Sequence, residues 1–137
     1  MWSNGFRGSS PETRTDYDSY GNVICTMDPR AHTTTIAYDG SQTFVITVSN
    51  PLHHVISTRY SGVNGVGMGT GLYGQIKSVT NPNGAVTSME YDGIGRGTKL
   101  TQPNGSWTIT AYNSFGTVGK QHCLHQHIAE SVDLAIF

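Results

Sequence analysis

YDGIGRGTKLTQPNGSWTITAY, residues 91–112, decides the fold of this chain. It contains two turn signals, Asp92-Gly93-Ile94-Gly95 and Pro103-Asn104-Gly105. A Thr, Lys, Leu and Thr stretch follows the first, and a run rich in Thr, Ile and aromatic residues follows the second. An aspartate that begins a turn accepts a backbone N–H two residues on, and glycine in the fourth position suits a type I turn that closes into a bulge. The segment therefore predicts one unit of strand, turn, strand and turn.

The same unit recurs along the chain with a regular period. Proline is followed nine residues later by tyrosine at Pro29/Tyr38, Pro51/Tyr60, Pro82/Tyr91 and Pro103/Tyr112, and Tyr17 opens the series. The tyrosine spacings are 21, 22, 31 and 21 residues. Such a period predicts an array of small repeated units rather than one irregular globule.

Copies of the aspartate turn differ in their last residue. Asp18-Ser19-Tyr20-Gly21 and Asn113-Ser114-Phe115-Gly116 keep the final glycine. Asp39-Gly40-Ser41-Gln42 lacks it, so a different turn is expected there.

The proline turns fall into two groups. Pro82-Asn83-Gly84 repeats Pro103-Asn104-Gly105, and Asn-Gly predicts a type I′ turn in which both residues have positive φ. Pro29-Arg30-Ala31-His32 and Pro51-Leu52-His53-His54 lack Asn-Gly, which predicts looser turns.

The intervening segments predict an all-β fold of consecutive antiparallel β-hairpins that form a twisted, curved repeat strip. The expected strands are Val23–Met27, Thr33–Tyr38, Thr43–Ser49, Val55–Tyr60, Gln75–Thr80, Ala85–Tyr91, Thr98–Gln102 and Ser106–Tyr112. Structural roles in the repeat are expected for Tyr17, Asp18, Gly21, Pro29, Tyr38, Asp39, Pro51, Tyr60, Pro82, Asn83, Gly84, Tyr91, Asp92, Gly95, Arg96, Pro103, Asn104, Gly105, Tyr112 and Gly116.

Three segments flank or interrupt the array, which spans residues 15–119. Residues 1–14 are expected to be poorly ordered, and residues 120–137 to form a short helix or a disordered tail. The third tyrosine interval carries ten extra residues, in a segment with six glycines among its fourteen positions. We expect residues 61–74 to form an exposed insertion loop within one hairpin.

Composition supports a turn-rich sheet and argues against several functions. The 137 residues include 17 glycines and 17 threonines, and only 12% are charged. A net charge of −1 gives no electrostatic basis for binding nucleic acid. The sequence shows neither an apolar run long enough to span a membrane nor a secretory signal.

Few residues suggest chemistry. His122, Cys123, His125 and His127 are metal-ligand types, but their spacing matches no standard site, so a solvated polar tail is the favoured interpretation. The adjacent His53 and His54 are interpreted as exposed turn residues. The aspartates are interpreted as turn caps rather than catalytic acids, and no enzyme activity or cofactor is expected. Pairing between Cys25 and Cys123, 98 residues apart, stays open.

The recurring tyrosines allow two interpretations. They can stack as a ladder, each ring against its equivalent in the next hairpin, which the repeat favours. Alternatively, an aromatic row beside Thr and Asn can bind sugar rings and make the chain a carbohydrate- or cell-surface-binding module.

Tyr91-Asp92-Gly93-Ile94-Gly95-Arg96, with the Pro-Asn-Gly turns and the returning tyrosine, resembles the Rhs or YD repeat. That repeat occurs in bacterial Rhs polymorphic toxins, in insecticidal toxin complexes and in teneurins. The resemblance covers roughly residues 15–119 and is closest over Ile76–Gly119.

In that family, long arrays wind into a hollow β-shell around a toxin segment or form an extracellular barrel. The resemblance implies a non-enzymatic scaffolding or encapsulating role and a secreted or cell-surface location. The expected partners are further YD repeats or a second copy at the exposed sheet edges, an enclosed toxin segment as the resemblance implies, or, for the alternative function, glycans on the aromatic row. The family's self-cleaving motif has no match in this sequence, so the resemblance does not assign autoproteolysis to this chain.

Overall fold

The computed structural model describes residues 12–113 and 118–124, and within the last range the side chains only to His122. The chain forms two compact units, Met1–Val55 and Ile56–Phe137. Ten strands follow one another in chain order, and the described residues contain no helix.

The strands are short and regular. They are β1 Arg14–Tyr17, β2 Val23–Met27, β3 Thr33–Tyr38, β4 Val45–Ser49, β5 Val55–Tyr60, β6 Ile76–Thr80, β7 Val86–Tyr91, β8 Gly97–Thr101, β9 Trp107–Tyr112 and β10 Val118–Leu124. In the first unit β1 to β4 each pair antiparallel with the next strand. In the second unit β5 to β10 do the same. The prediction of consecutive antiparallel hairpins is confirmed.

The strands alternate between two faces. Met89 pairs with Leu100, and Leu100 pairs with Thr108, so these three side chains share one face. Tyr91 lies on this face too, which we call the tyrosine face. Its residues are half-buried, whereas Ile109 on the opposite face is 40% exposed.

The sheet has almost no closed core. Among the described residues, Val63 is the one large apolar side chain that is buried, at 3% exposure. Since apolar burial is the main favourable term in folding, a single hairpin of this kind cannot stabilise itself and needs neighbours.

Two strands extend past the predicted bounds of the array, residues 15–119, into the flanking segments. β1 begins at Arg14, inside the segment expected to be poorly ordered. β10 continues to Leu124, where it pairs with Trp107 of β9, so the prediction of a helical or disordered tail is wrong for residues 120–124. The backbone of β9 supplies hydrogen-bond partners whatever the side chains are, which explains the extension. The rest of the predicted tail and residues 1–11 lie outside the described residues.

No helix in the described part of the chain is long and apolar enough to cross a membrane.

Candidate functional site

The most repeated feature is a hairpin turn closed by two backbone hydrogen bonds. In the turn that begins at Asp92, the Asp92 N–H donates to the Arg96 carbonyl oxygen at 2.9 Å, and the Gly95 N–H donates to the Asp92 carbonyl oxygen at 3.0 Å. The same pair of bonds occurs in the turns that begin at Asp18, Asp28, Asn50, Asn81 and Gln102. This is a type I turn followed by a one-residue bulge.

In all of these turns except the one that begins at Gln102, the side chain of the first residue also caps the turn. Asp92 Oδ1 accepts the backbone N–H of Ile94 at 3.1 Å and of Arg96 at 2.9 Å. Oδ1 accepts the equivalent two N–H groups in the turns of Asp18, Asp28, Asn50 and Asn81. The aspartates are therefore structural acceptors, as their interpretation as turn caps required.

These hydrogen bonds change the acidity of the aspartates. The His32 N–H, together with the His32 side chain, holds the pKa of Asp28 below its usual value. The N–H of Phe44 and the hydroxyl of Ser41 lower the pKa of Asp39 further. Hydrogen bonds to the charged carboxylate favour its ionised form.

The fourth turn residue takes a left-handed conformation whether or not it is glycine. Gly84 and Gly95 have φ values of 78° and 87°, and Ala31 and His53 have φ values of 64° and 59°. The turns that contain Ala31 and His53 keep the standard hydrogen bonds, so the prediction of looser turns there is wrong. The capping side chains Asp28 and Asn50 hold these turns together at the cost of some backbone strain.

The turn at Asp39 does differ, as its missing glycine predicted. Its outer bond runs one residue further, from the Asp39 N–H to the Phe44 carbonyl oxygen at 2.9 Å, and Gln42 has a φ of 57°. Asp39 Oδ1 accepts both the Thr43 and Phe44 N–H groups at 2.8 Å. Asp39 is 3% exposed, the most buried of the capping residues.

The prediction of type I′ geometry at Pro-Asn-Gly is wrong. Among Pro82, Asn83 and Gly84 only the glycine has positive φ. Proline fixes φ near −65° and so occupies the second position of a type I turn, which places asparagine third and glycine in the bulge.

A type I′ pattern occurs instead where no proline precedes Asn-Gly. Asn64 and Gly65 have φ values of 48° and 75°, and the Val66 N–H donates to the Val63 carbonyl oxygen at 3.0 Å. This turn lies inside the insertion loop, where Val63 precedes Asn-Gly and no proline restricts φ at the second turn position.

Tyrosine closes the open end of three hairpins, at Tyr38, Tyr91 and Tyr112. The Tyr38 hydroxyl donates to the Val23 carbonyl oxygen at 3.1 Å, and the Tyr112 hydroxyl donates to the Gly97 carbonyl oxygen at 2.9 Å. In both pairs the acceptor lies fifteen residues before the tyrosine and begins the preceding strand. The nine-residue step from proline to tyrosine therefore measures one hairpin arm, with proline in the turn and tyrosine at the far end.

The acceptor residues coincide with β-bulges. Tyr17 pairs with Val23 while Asp16 pairs with Cys25, so one extra residue of β2 is inserted there. The same shift occurs after Ala37, Arg59, Glu90 and at the start of β10. A bulge leaves one residue outside the regular ladder, and the tyrosine hydroxyl binds the carbonyl group of a bulge residue.

In two turns the fifth residue links its turn to the next one on the same side. Asn22 Nδ2 donates to its own cap, Asp18 Oδ2, at 3.0 Å and to the Gln42 carbonyl oxygen at 2.9 Å. Gln75 Nε2 likewise donates to the Gly95 carbonyl oxygen at 2.7 Å. These bonds join successive repeat units through their turns.

Arg96 has the corresponding position in its turn. Its Nε lies 2.7 Å from Asp92 Oδ2, and its guanidinium group lies 4.3 Å from the centre of the Tyr112 ring. A cation above a tyrosine face is an attractive contact. For Tyr112, therefore, the ring contact that the structure shows is with arginine, where the ladder hypothesis expected another tyrosine.

The insertion loop is built into a turn of the standard kind. Ser61 N–H donates to the Gln75 carbonyl oxygen at 2.8 Å, and Gly74 N–H donates to the Ser61 carbonyl oxygen at 2.9 Å. These are the two bonds of a normal turn, with ten residues added between them. The loop lies within one hairpin, between β5 and β6.

The loop is only partly exposed, because it folds onto the next repeat. The Thr70 hydroxyl donates to the Tyr91 carbonyl oxygen, and Ser61, Val63 and Gly71 are buried. A Cβ atom on Gly95 would lie 2.8 Å from Leu72 Cδ1, so the loop packs closely against the Asp92 turn.

Several expected residues remain without a described role. Gly116, His125 and His127 lie outside the described residues, as does the side chain of Cys123. His122 lies on β10, and His53 and His54 are exposed. In the described part of the chain, no three His, Cys, Asp or Glu side chains are grouped for a metal ion.

Two comparisons relate this geometry to known proteins. The family described as RHS Repeat matches residues 73–106, which include the Asn81 turn, Tyr91 and the Asp92 turn. A chain in the crystal structure of TcdB2-TccC3-Cdc42 is similar, with a TM-score of 0.42 and 11% sequence identity over 77% of this chain. This chain spans 7% of the length of that one. A search of curated proteins gave no match.

The Asp92 turn, the two Pro-Asn-Gly turns and the returning Tyr91 thus fall within residues 73–106, and this segment of the chain matches the RHS (YD) repeat.

Proposed function

We propose that this chain is a structural segment of a YD-repeat shell, whose hairpins join further repeats edge to edge and carry out no catalysis. One observation carries the proposal: the stabilising contacts run from each hairpin to its neighbours rather than into a core. The Gln75 amide reaches the Gly95 carbonyl of the next unit, and Arg96 covers the Tyr112 ring. Such contacts favour extension by further units of the same kind.

The proposed partners are additional repeats or a second copy of the chain. β1 pairs with β2 and β10 pairs with β9, and in the described residues neither has a strand on its other side. An unpaired strand edge presents N–H and C=O groups to another strand. Enclosure of a toxin segment and a secreted or cell-surface location belong to the same proposal.

Adding one repeat tests this role. A second copy of residues 92–112, the 21-residue unit, is inserted after Tyr112 so that the Asp92 turn and its tyrosine recur. In a repeat array each added unit contributes its own interface, so we expect a higher urea midpoint and a larger m-value. A scrambled insert of the same composition is the control. A midpoint that falls equally with both inserts would contradict the structural role.

The alternative function, carbohydrate binding by the tyrosines, has less support. The hydroxyl groups of Tyr38, Tyr91 and Tyr112 each donate to a backbone carbonyl oxygen. Arg96 also covers one face of the Tyr112 ring, where a sugar would stack. A glycan array with the folded chain separates the two functions, and binding that is lost in Tyr112→Ala but not in Tyr20→Ala would favour the alternative.

A further inference from the structure

The two Pro-Asn-Gly turns have the same backbone. Gly84 N–H donates to the Asn81 carbonyl oxygen at 2.9 Å, and Gly105 N–H donates to the Gln102 carbonyl oxygen at 2.9 Å. Gly84 and Gly105 have φ values of 78° and 81°. Any difference in reactivity between the two asparagines must therefore come from their side chains.

The residue before the proline determines what each asparagine side chain does. Asn81 is short enough to cap its own turn, and its Oδ1 accepts the N–H groups of Asn83 and Ala85 at 3.1 and 3.0 Å. Because Asn81 caps the turn, the side-chain amide of Asn83 stays exposed and has no hydrogen-bond partner among residues 12–113 and 118–124.

Gln102 is one methylene longer, and the cap moves to Asn104. Asn104 Oδ1 accepts the Ser106 N–H at 3.0 Å and the Ser106 hydroxyl at 2.7 Å. Ser106 itself is 8% exposed. The Asn104 amide is thus held in one orientation by two hydrogen bonds.

An asparagine followed by glycine can react with its own backbone. We propose that Asn83 is a site of spontaneous deamidation through a succinimide, and that Asn104 is protected from it by Ser106. A base removes the proton of the Gly84 N–H, and the nitrogen forms a bond to Cγ of Asn83. The bond from Cγ to the side-chain nitrogen breaks, and the nitrogen takes up a proton and leaves as ammonia. Water then opens the ring to aspartate or isoaspartate, with no change of oxidation state.

The hydrogen bonds decide the relative rates. The N–H groups of Gly84 and Gly105 must each break an equivalent turn hydrogen bond before the nitrogen can attack, so this cost is the same at the two sites. Asn104 must in addition give up its bonds to Ser106 before its Cγ can be attacked. We expect Asn104 to react about tenfold more slowly, which corresponds to about 1.4 kcal/mol in the barrier.

The experiment follows both asparagines in one folded chain. The full chain is incubated at mildly alkaline pH, with folding checked by circular dichroism, and peptides are analysed by mass spectrometry for conversion of amide to acid and for isoaspartate. We expect conversion at Asn83 well ahead of Asn104. In urea at unfolding concentration the two rates should become equal, because both sites then have the sequence Pro-Asn-Gly without a fixed side chain.

Two variants test the cause. Gln102→Asn restores the short cap before the proline and should bring the Asn104 rate towards that of Asn83. Ser106→Ala removes one of the two bonds and should have a smaller effect in the same direction. Equal rates at the two asparagines in the folded chain, or a faster rate at Asn104, would overturn the proposal.

Discussion

The Tyr91 hydroxyl donates a 2.8 Å hydrogen bond to the Ile76 carbonyl oxygen, across the end of the hairpin that the Asn81 turn closes at the other side. Burial raises the pKa of Tyr91, because the surrounding residues disfavour the charged phenolate. The hydroxyl therefore remains a donor over the usual pH range, and the hairpin is fastened at both ends.

Removing that hydroxyl should weaken the second unit. We expect Tyr91→Phe to lower the free energy of unfolding by about 1 kcal/mol, since the Ile76 carbonyl loses its donor while the ring stays in place. Urea unfolding followed by circular dichroism measures the change. Tyr20→Phe is the control, because Tyr20 is 76% exposed, and an equal loss in both variants would mean that the hydrogen bond does not matter.

Gly84 and Gly95, which both have a left-handed backbone, should differ in how much an alanine substitution destabilises the chain. Alanine in this conformation costs about 1–2 kcal/mol. Gly84→Ala should lower the free energy of unfolding by this amount and no more, because no atom lies within 4 Å of the added Cβ. Gly95→Ala should cost more, since its Cβ would also lie 2.8 Å from Leu72 Cδ1.

The control for these two variants is Gly97→Ala. Gly97 has no positive φ and no atom within 4 Å of an added Cβ, so the free energy of unfolding of Gly97→Ala should equal that of the unsubstituted chain or exceed it slightly. Equal free energies of unfolding for Gly84→Ala and Gly95→Ala would show that Leu72 does not pack on the turn.

Acid should destabilise the turns. The folded pKa values of Asp28 and Asp39 lie below those of the unfolded chain, so their contribution is present above the unfolded value of about 3.9 and is lost as the pH falls below it. We expect the urea midpoint to fall steadily from about pH 4 downward.

Substitutions identify the source of this acid sensitivity. Asp39→Asn keeps one acceptor oxygen but does not titrate, so the midpoint should depend less steeply on pH. Asp16→Asn is the matched control, because that carboxylate pairs with the exposed Arg14 side chain. A slope that changes equally in both variants would contradict the role of the capping aspartates.

Deleting residues 62–71 should preserve the strand register. The deletion brings Ser61 next to Leu72-Tyr73-Gly74-Gln75, which is the length of the Asp18 turn, and the two closing bonds can form as before. The chain should fold with lower stability, because it loses the buried Val63 and the bond from Thr70 to Tyr91. Hydrogen exchange of β5 and β6 measures the register, and loss of protection in both strands would contradict the prediction.

The sequence predicts the strands well where capped turns flank them. Val23–Met27, Thr33–Tyr38 and Val55–Tyr60 have their expected ends. β4 begins at Val45 instead of Thr43, because Asp39 takes the N–H groups of Thr43 and Phe44 for its own cap. β10 carries no strand signal in its side chains and depends on its pairing with β9.

The contacts between side chains and backbone were harder to predict. The period of proline and tyrosine indicated that the tyrosines were equivalent, but it did not indicate that Tyr38 and Tyr91 donate to carbonyl groups. Asn-Gly has two turn geometries with similar sequence signals, and the φ restriction of Pro82 selects between them. Arg96 was expected as a motif residue, but its position over Tyr112 depends on the spacing of neighbouring turns.

The tyrosine hydroxyls have a consequence for how the chain is made. Each acceptor carbonyl lies fifteen residues upstream of its tyrosine, so it has already been synthesised when the tyrosine emerges from the ribosome. A hairpin can therefore close behind the growing end without waiting for distant sequence, and folding can proceed in the order of translation. An array built in this way can grow to great length while only its newest unit remains unfinished.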